Sequence, residues 1–136
     1  MHETVRRLID GLAIQRLMVN YCQYVDDARF ADAASLFTAD GVFDYRGRRY
    51  VGRDEIVSFL EEFQVPERRG RHSCTTPVVD YDTGGGAHAV TDFVFIGKSD
   101  GAWLVKFVGR YHDILRMQAG FWRIHERRVV LVDPAV

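Results

Sequence analysis

Residues Ala87–Leu115 read AHAVTDFVFIGKSDGAWLVKFVGRYHDIL, two runs rich in β-branched and aromatic residues flanking the turn Ser99-Asp100-Gly101. Apolar side chains recur here at every second position, as in strands whose side chains alternate between faces. The pattern extends both ways and predicts strands near His72–Asp82, Ala87–Lys98, Ala102–Leu115 and Phe121–Val132. Gly84-Gly85-Gly86, Ser99-Asp100-Gly101 and the Gln118–Gly120 stretch supply the turns.

Upstream the period is that of a helix. From Val5 to about Asp27, the residues Leu8, Leu12, Ile14, Leu17, Met18, Tyr21, Cys22 and Val25 recur at steps of three and four, predicting one apolar stripe. Phe30, Ala33, Ala34 and Phe37 make a second, shorter helix, closed by Asp40-Gly41. Val42–Tyr45 alternates as a strand and turns through Arg46-Gly47-Arg48 into Arg49–Val51. A third helix places Ile56, Phe59, Leu60 and Phe63 on its inner face and ends before Pro66 and the basic loop Arg68-Arg69-Gly70-Arg71. Helices first and an antiparallel meander last predict an α+β fold, with the helices on one face of a curved sheet. Such a sheet bent over a long helix leaves a pocket between them.

Composition narrows the function. The 136 residues suit one domain spanning 1–136, and at 47% apolar they can close a core without staples. Eighteen basic residues against nineteen acidic offer no basic excess for nucleic acid. No apolar run reaches membrane-spanning length, and MHETVRRLIDGL lacks the build of a secretory signal. Cys22 and Cys74 stand in no metal-ligand or redox spacing and read as small buried hydrophobes, so a cytoplasmic location is expected. HExxH, paired-cysteine and phosphate-loop patterns are absent, as is a nucleophile elbow, so neither a metal nor a cofactor is expected.

Polar residues on apolar faces are the candidates for chemistry. Asp26 follows Cys22 by one helical turn at the edge of the first stripe; Asp27 points about 100° further round. Asp26 is therefore the inward candidate, against the alternative that both lie at an exposed helix end. Tyr21, mid-stripe, reads as core filler or as a hydrogen-bond donor. Tyr45 shares a strand face with Phe43, and Asp44 shares the other with Val42; either face can be the inner one. His72 opens a strand beside Cys74, Thr76 and Val78, and its ordinary pKa suits a general base. Asp92 shares its face with Val90, Val94 and Ile96, which demands either a cationic partner or a functional reason. His112 and Asp113 are neighbours in one strand, point to opposite faces and cannot form a dyad.

Several of these segments also carry a resemblance. Ile14-Gln15-Arg16-Leu17 through Tyr21, Tyr24-Val25-Asp26, Phe37-Thr38-Ala39-Asp40-Gly41 and Phe43-Asp44-Tyr45 resemble the opening of SnoaL-like proteins of the NTF2-like superfamily. Gly109-Arg110-Tyr111-His112-Asp113 and Gly120-Phe121-Trp122-Arg123-Ile124 resemble its close. The resemblance covers nearly the whole chain and implies a cone-shaped α+β barrel that pairs into homodimers. It implies activity less sharply, since members include dehydratases, isomerases, polyketide cyclases, dehydrochlorinases, epoxide hydrolases and non-catalytic modules.

The match in polar residues is best with scytalone dehydratase and the bile-acid 7α-dehydratases. It implies a dyad of His72 and Asp26, with Tyr21, Tyr45 and Asp92 completing the catalytic set. Phe107 and Tyr111, where their strand face is the inner one, would hold a hydrophobic, carbonyl-bearing substrate together with Val94 and Met18; the other alternative puts Tyr111 and His112 at an interface. The implied reaction is a cofactor-independent elimination: His72 takes a proton beside the carbonyl, the tyrosines bind the developing enolate, and Asp92 protonates the leaving group. The rival expectations are polyketide ring closure or isomerisation in the same pocket, and a pure binding role like that of the β subunit of ring-hydroxylating dioxygenases.

Overall fold

A computed structural model describes residues 2–132. Helix α1 (His2–Asp26) and the short α2 (Phe30–Ser35) lead into β1 (Phe37–Tyr45) and β2 (Arg48–Val51). Helix α3 (Arg53–Phe63) and a 3₁₀ turn (Pro66–Arg68) follow, then β3 (Gly70–Cys74), β4 (Val78–Tyr81), β5 (Ala87–Ser99), β6 (Ala102–Gln118) and β7 (Phe121–Leu131). The strands form one curved sheet in the order β2-β1-β7-β6-β5-β3, with β4 also paired to β5. Packed over its concave side, the helices complete a cone-shaped α+β fold.

Three features differ from the sequence-based expectation. The sheet is mixed and does not close into a barrel, because β1 runs parallel to β7 and β2 and β3 remain as edges. A parallel pair needs a long connection, and the chain between β1 and β7 supplies one. The strand expected over His72–Asp82 is two strands, β3 and β4, each paired with a different half of β5. Pro77 lies in the break and has no N–H for a ladder; beside it, Thr75 bonds the backbone of Asp92 through both its N–H and its hydroxyl. Finally, the stripe of α1 is rotated over its first three turns. Leu8 and Leu12 are exposed, and Asp10 is buried in their place, accepting a bond from the Trp122 indole at 3.1 Å. Leu8 and Leu12 each lie about 200° round the helix from Asp10, so they cannot share its face.

From Ile14 onward the stripe is as expected. Ile14, Leu17, Met18, Tyr21, Cys22 and Val25 are buried against the sheet and join Phe37, Leu115 and Ile124 in the core. Each fully buried aliphatic of this kind contributes about 1.5–3 kcal/mol. Helix α3 adds Ile56, Phe59 and Leu60, and Phe59 stacks between Tyr50, Phe43 and Phe63 with ring centroids 4.4–5.4 Å apart. No helix among the described residues is long and apolar enough to cross a membrane.

Candidate active site

The last buried turn of α1 ends at Asp26, and the chain then reverses through Ala28, which has a positive φ of 59°. Asp26 thereby meets the start of β3, while Asp27 is exposed. Strand β3 is pressed close to β5: a Cβ on Gly70 would fall 2.0 Å from the Ile96 carbonyl oxygen, so only glycine fits there. Two residues on, His72 donates its backbone N–H to Asp26 Oδ2 at 2.8 Å, and its ring Nδ1 lies 2.6 Å from Asp26 Oδ1. Both carboxylate oxygens are therefore committed to one histidine. The side chains are 9% and 4% exposed, so this contact is sheltered from bulk water. A carboxylate accepts only, so Nδ1 carries the proton of this bond and Nε2 is the ring nitrogen left over.

His72 forms one wall of a chamber between the sheet and helices α1 and α3. Its ring lies 4.6 Å from Phe95 and 6.1 Å from Phe93. Phe93 stacks on Tyr111 at 4.3 Å, and Gly109 leaves the room for that ring, since a Cβ there would fall 2.7 Å from it. Tyr21, Tyr45 and Phe107 line the same chamber. The structure thus gathers Tyr21, Tyr45, His72, Phe107 and Tyr111 around one space, with Asp26 directly behind His72.

Three expected site residues lie elsewhere. Asp92 is on the outer face of the sheet, 52% exposed, and accepts from Arg110 Nε at 2.6 Å and Nη2 at 3.2 Å. That arginine, directly opposite in register, holds the carboxyl below its usual range. Both faces of β5 are apolar, and the set Ala89, Thr91, Phe93 and Phe95 turns inward, which leaves Asp92 outside. Val94 shares that outer face. Met18 is core, with its sulfur accepting a bond from Arg127 at 2.8 Å rather than facing the chamber. Asp92→Asn is accordingly expected to leave both turnover and the thermal unfolding midpoint unchanged; a loss of turnover would return Asp92 to the reaction.

A buried ion pair behind the chamber was not anticipated. Arg127 and Asp113 are both fully buried and joined by two bonds of 2.8 Å. The guanidinium lies 4.4 Å from the centre of the Tyr21 ring and 3.9 Å from that of Tyr111. Burial disfavours its charge, but Asp113 outweighs this and the arginine stays protonated. Burial likewise pushes the hydroxyls of Tyr21 and Tyr111 well above the usual tyrosine range, with Arg127 opposing the rise. Both tyrosines are therefore neutral donors. Cys22 and Cys74, distant in sequence, also meet beside the dyad as free thiols. Their hydrogen-bonding contact draws Cys74 down to about 7 and raises Cys22. No group of three or more metal-binding side chains gathers among the described residues.

This arrangement can move a proton within an apolar space and hydrogen-bond a developing oxyanion. Among solved structures, a variant of the function-unknown protein Rv3472 from Mycobacterium tuberculosis is 28% identical, with a TM-score of 0.89 over 98% of this chain and 80% of that one. An NTF2-like protein with a cystatin-like fold from Novosphingobium aromaticivorans matches at 20% identity and a TM-score of 0.87, covering 98% of this chain and 88% of its own. A scytalone dehydratase-like protein from the same organism matches at 22% identity and a TM-score of 0.84, covering 96% and 89%. No curated protein matches significantly. The model of the SnoaL-like domain matches residues 6–128, nearly the whole chain, and the chain belongs to that family.

Proposed function

We propose that this chain is a cofactor-independent lyase of the dehydratase type, acting on a hydrophobic carbonyl compound that carries a hydroxyl at the β carbon. The observation that carries the reading is the double engagement of Asp26 with His72, which leaves a basic Nε2 at the wall of an aromatic chamber. His72 Nε2 takes the proton from the carbon beside the carbonyl, and the electron pair moves onto the carbonyl oxygen. Tyr21 and Tyr45 donate to that oxygen as charge develops, with Tyr111 a further donor on the same wall. The cation of Arg127 behind the Tyr21 ring favours negative charge nearby. The enolate then reforms the carbonyl and expels the β-hydroxyl, which takes the proton back from the His72 imidazolium and leaves as water. One histidine serves as base and then acid, so the reaction needs no second carboxyl.

The displacement of Asp92 to the outer face also favours a second reading. Ring closure or a double-bond shift uses the same enolate and no dedicated leaving-group acid. Ring-bearing β-hydroxy ketones incubated with the protein separate the two. The lyase reading expects the ultraviolet absorbance of a conjugated enone and a product lighter by one water. A product of unchanged mass selects ring closure or isomerisation, and no product from any such ketone contradicts both.

A further inference from the structure

The chamber is small, about 50 Å³, enough for a few water-sized spheres but not for a fused ring. It adjoins a vestibule of about 540 Å³, and the two share Tyr45, Phe63, Gln64, Phe95 and Phe107. Most of any substrate whose reacting end meets His72 must therefore lie in the vestibule.

The walls of the vestibule differ from those of the chamber. Arg46, Arg68, Lys98 and Lys106 line it, with the Lys98 ammonium also 5.8 Å from the Trp103 ring, against the single acid Glu67, in a chain whose overall charge is nearly balanced. Among the described residues, no carboxylate pairs with Arg68, Lys98 or Lys106. The stem of Lys106 lies across Gly97, where a Cβ would fall 3.1 Å from it, so the ammonium is carried at the vestibule wall. Cations gathered at a cleft with low-dielectric walls focus a positive potential into it. At the neck, Gln64 is only 4% exposed, and its side-chain oxygen is buried without a hydrogen-bond partner among the described residues. Buried polar atoms of this kind are nearly always paired, so the neck calls for a donor that a bound ligand can bring.

We propose that the vestibule is an anion subsite, and that the ligand is an elongated amphiphile. Its apolar carbonyl end enters the chamber, a polar group passes Gln64, and a terminal carboxylate or phosphate is held by Arg68, Lys98 and Lys106. The chemistry assigned to the chamber end rests on the lyase reading; the anion subsite does not.

Binding tests it without turnover. Linear methyl ketones whose alkyl chain ends in a carboxylate, a phosphate monoester or a methyl ester are titrated calorimetrically at low and high salt. The anionic probes are expected to bind about tenfold more tightly than the ester, an advantage that shrinks with salt. Lys98→Gln/Lys106→Gln, checked for folding by circular dichroism, is expected to cut most of the advantage, leaving the share that Arg68 supplies. Whichever anion shows the larger salt-sensitive gain identifies the head group. Equal affinity for ester and anion, or no binding of any probe, overturns the subsite. Anion-selective binding without turnover of any β-hydroxy ketone overturns the lyase reading and leaves the subsite standing.

Discussion

His72→Gln is expected to lower turnover of a β-hydroxy ketone by about 10²–10⁴-fold, the usual contribution of a positioned general base, with the fold intact. Glutamine keeps an N–H for Asp26 but has no basic nitrogen to offer the chamber. Asp26→Asn is expected to be nearly as damaging for a more specific reason. The carboxylate spends one oxygen on the His72 backbone N–H and the other on the ring. Asparagine has a single oxygen. If it stays on the backbone N–H, the amide N–H₂ faces Nδ1, which must then accept, and the ring proton moves to Nε2 where the lone pair is needed. Initial rates in the enone assay, with circular dichroism as a folding check, measure both effects. Unchanged rates in either variant would remove the dyad from the mechanism.

The second large effect is on stability. Arg127→Met or Asp113→Ala is expected to cost about 3–5 kcal/mol in urea unfolding, because each leaves a fully buried charge without its partner. Replacing both at once, Arg127→Met with Asp113→Leu, is expected to recover much of that loss, since a packed apolar pair avoids the desolvation of two ions. The double variant also removes the cation from beneath Tyr21 and Tyr111, so it is expected to be folded yet slow. A double variant with full turnover would show that Arg127 only holds the core.

Much of this site was legible because its parts sit on regular elements. Asp26 extends a stripe of steps of three and four, and the helix carries it inward as the spacing requires. His72 follows from strand alternation, on the same face as Cys74, whereas alternation leaves both faces open for Tyr111. What the sequence hid has physical causes. Strand β5 is apolar on both faces, so alternation alone does not say that the face with Phe93 and Phe95 is the inner one, and Asp92 lies on the other. Arg127 is not legible in the sequence because β7 changes its parity: Leu115 pairs with Ile124 but Ile114 pairs with Glu126, so an extra residue bulges at His125. Trp122 and Ile124 face inward before the bulge, and Arg127 does so after it. The surviving signal was Asp113, an acid between Tyr111 and Leu115 on an inner face, which required a buried cation somewhere. The exposed Leu8 and Leu12 show the reverse case, where a plausible stripe lost to a buried Asp10–Trp122 bond.

The central claim is that His72 Nε2 removes a proton from carbon within the chamber. It is tested most directly by following the methyl α-protons of 4-phenyl-2-butanone, whose reacting end is small enough for the chamber, in D₂O by proton NMR, a reaction that needs no leaving group. The wild-type protein is expected to speed deuterium uptake beside the carbonyl well above the buffer rate, and His72→Gln to bring it back to that rate. Uptake that is the same in both proteins, or no uptake although shift changes show the ketone bound, would contradict the claim.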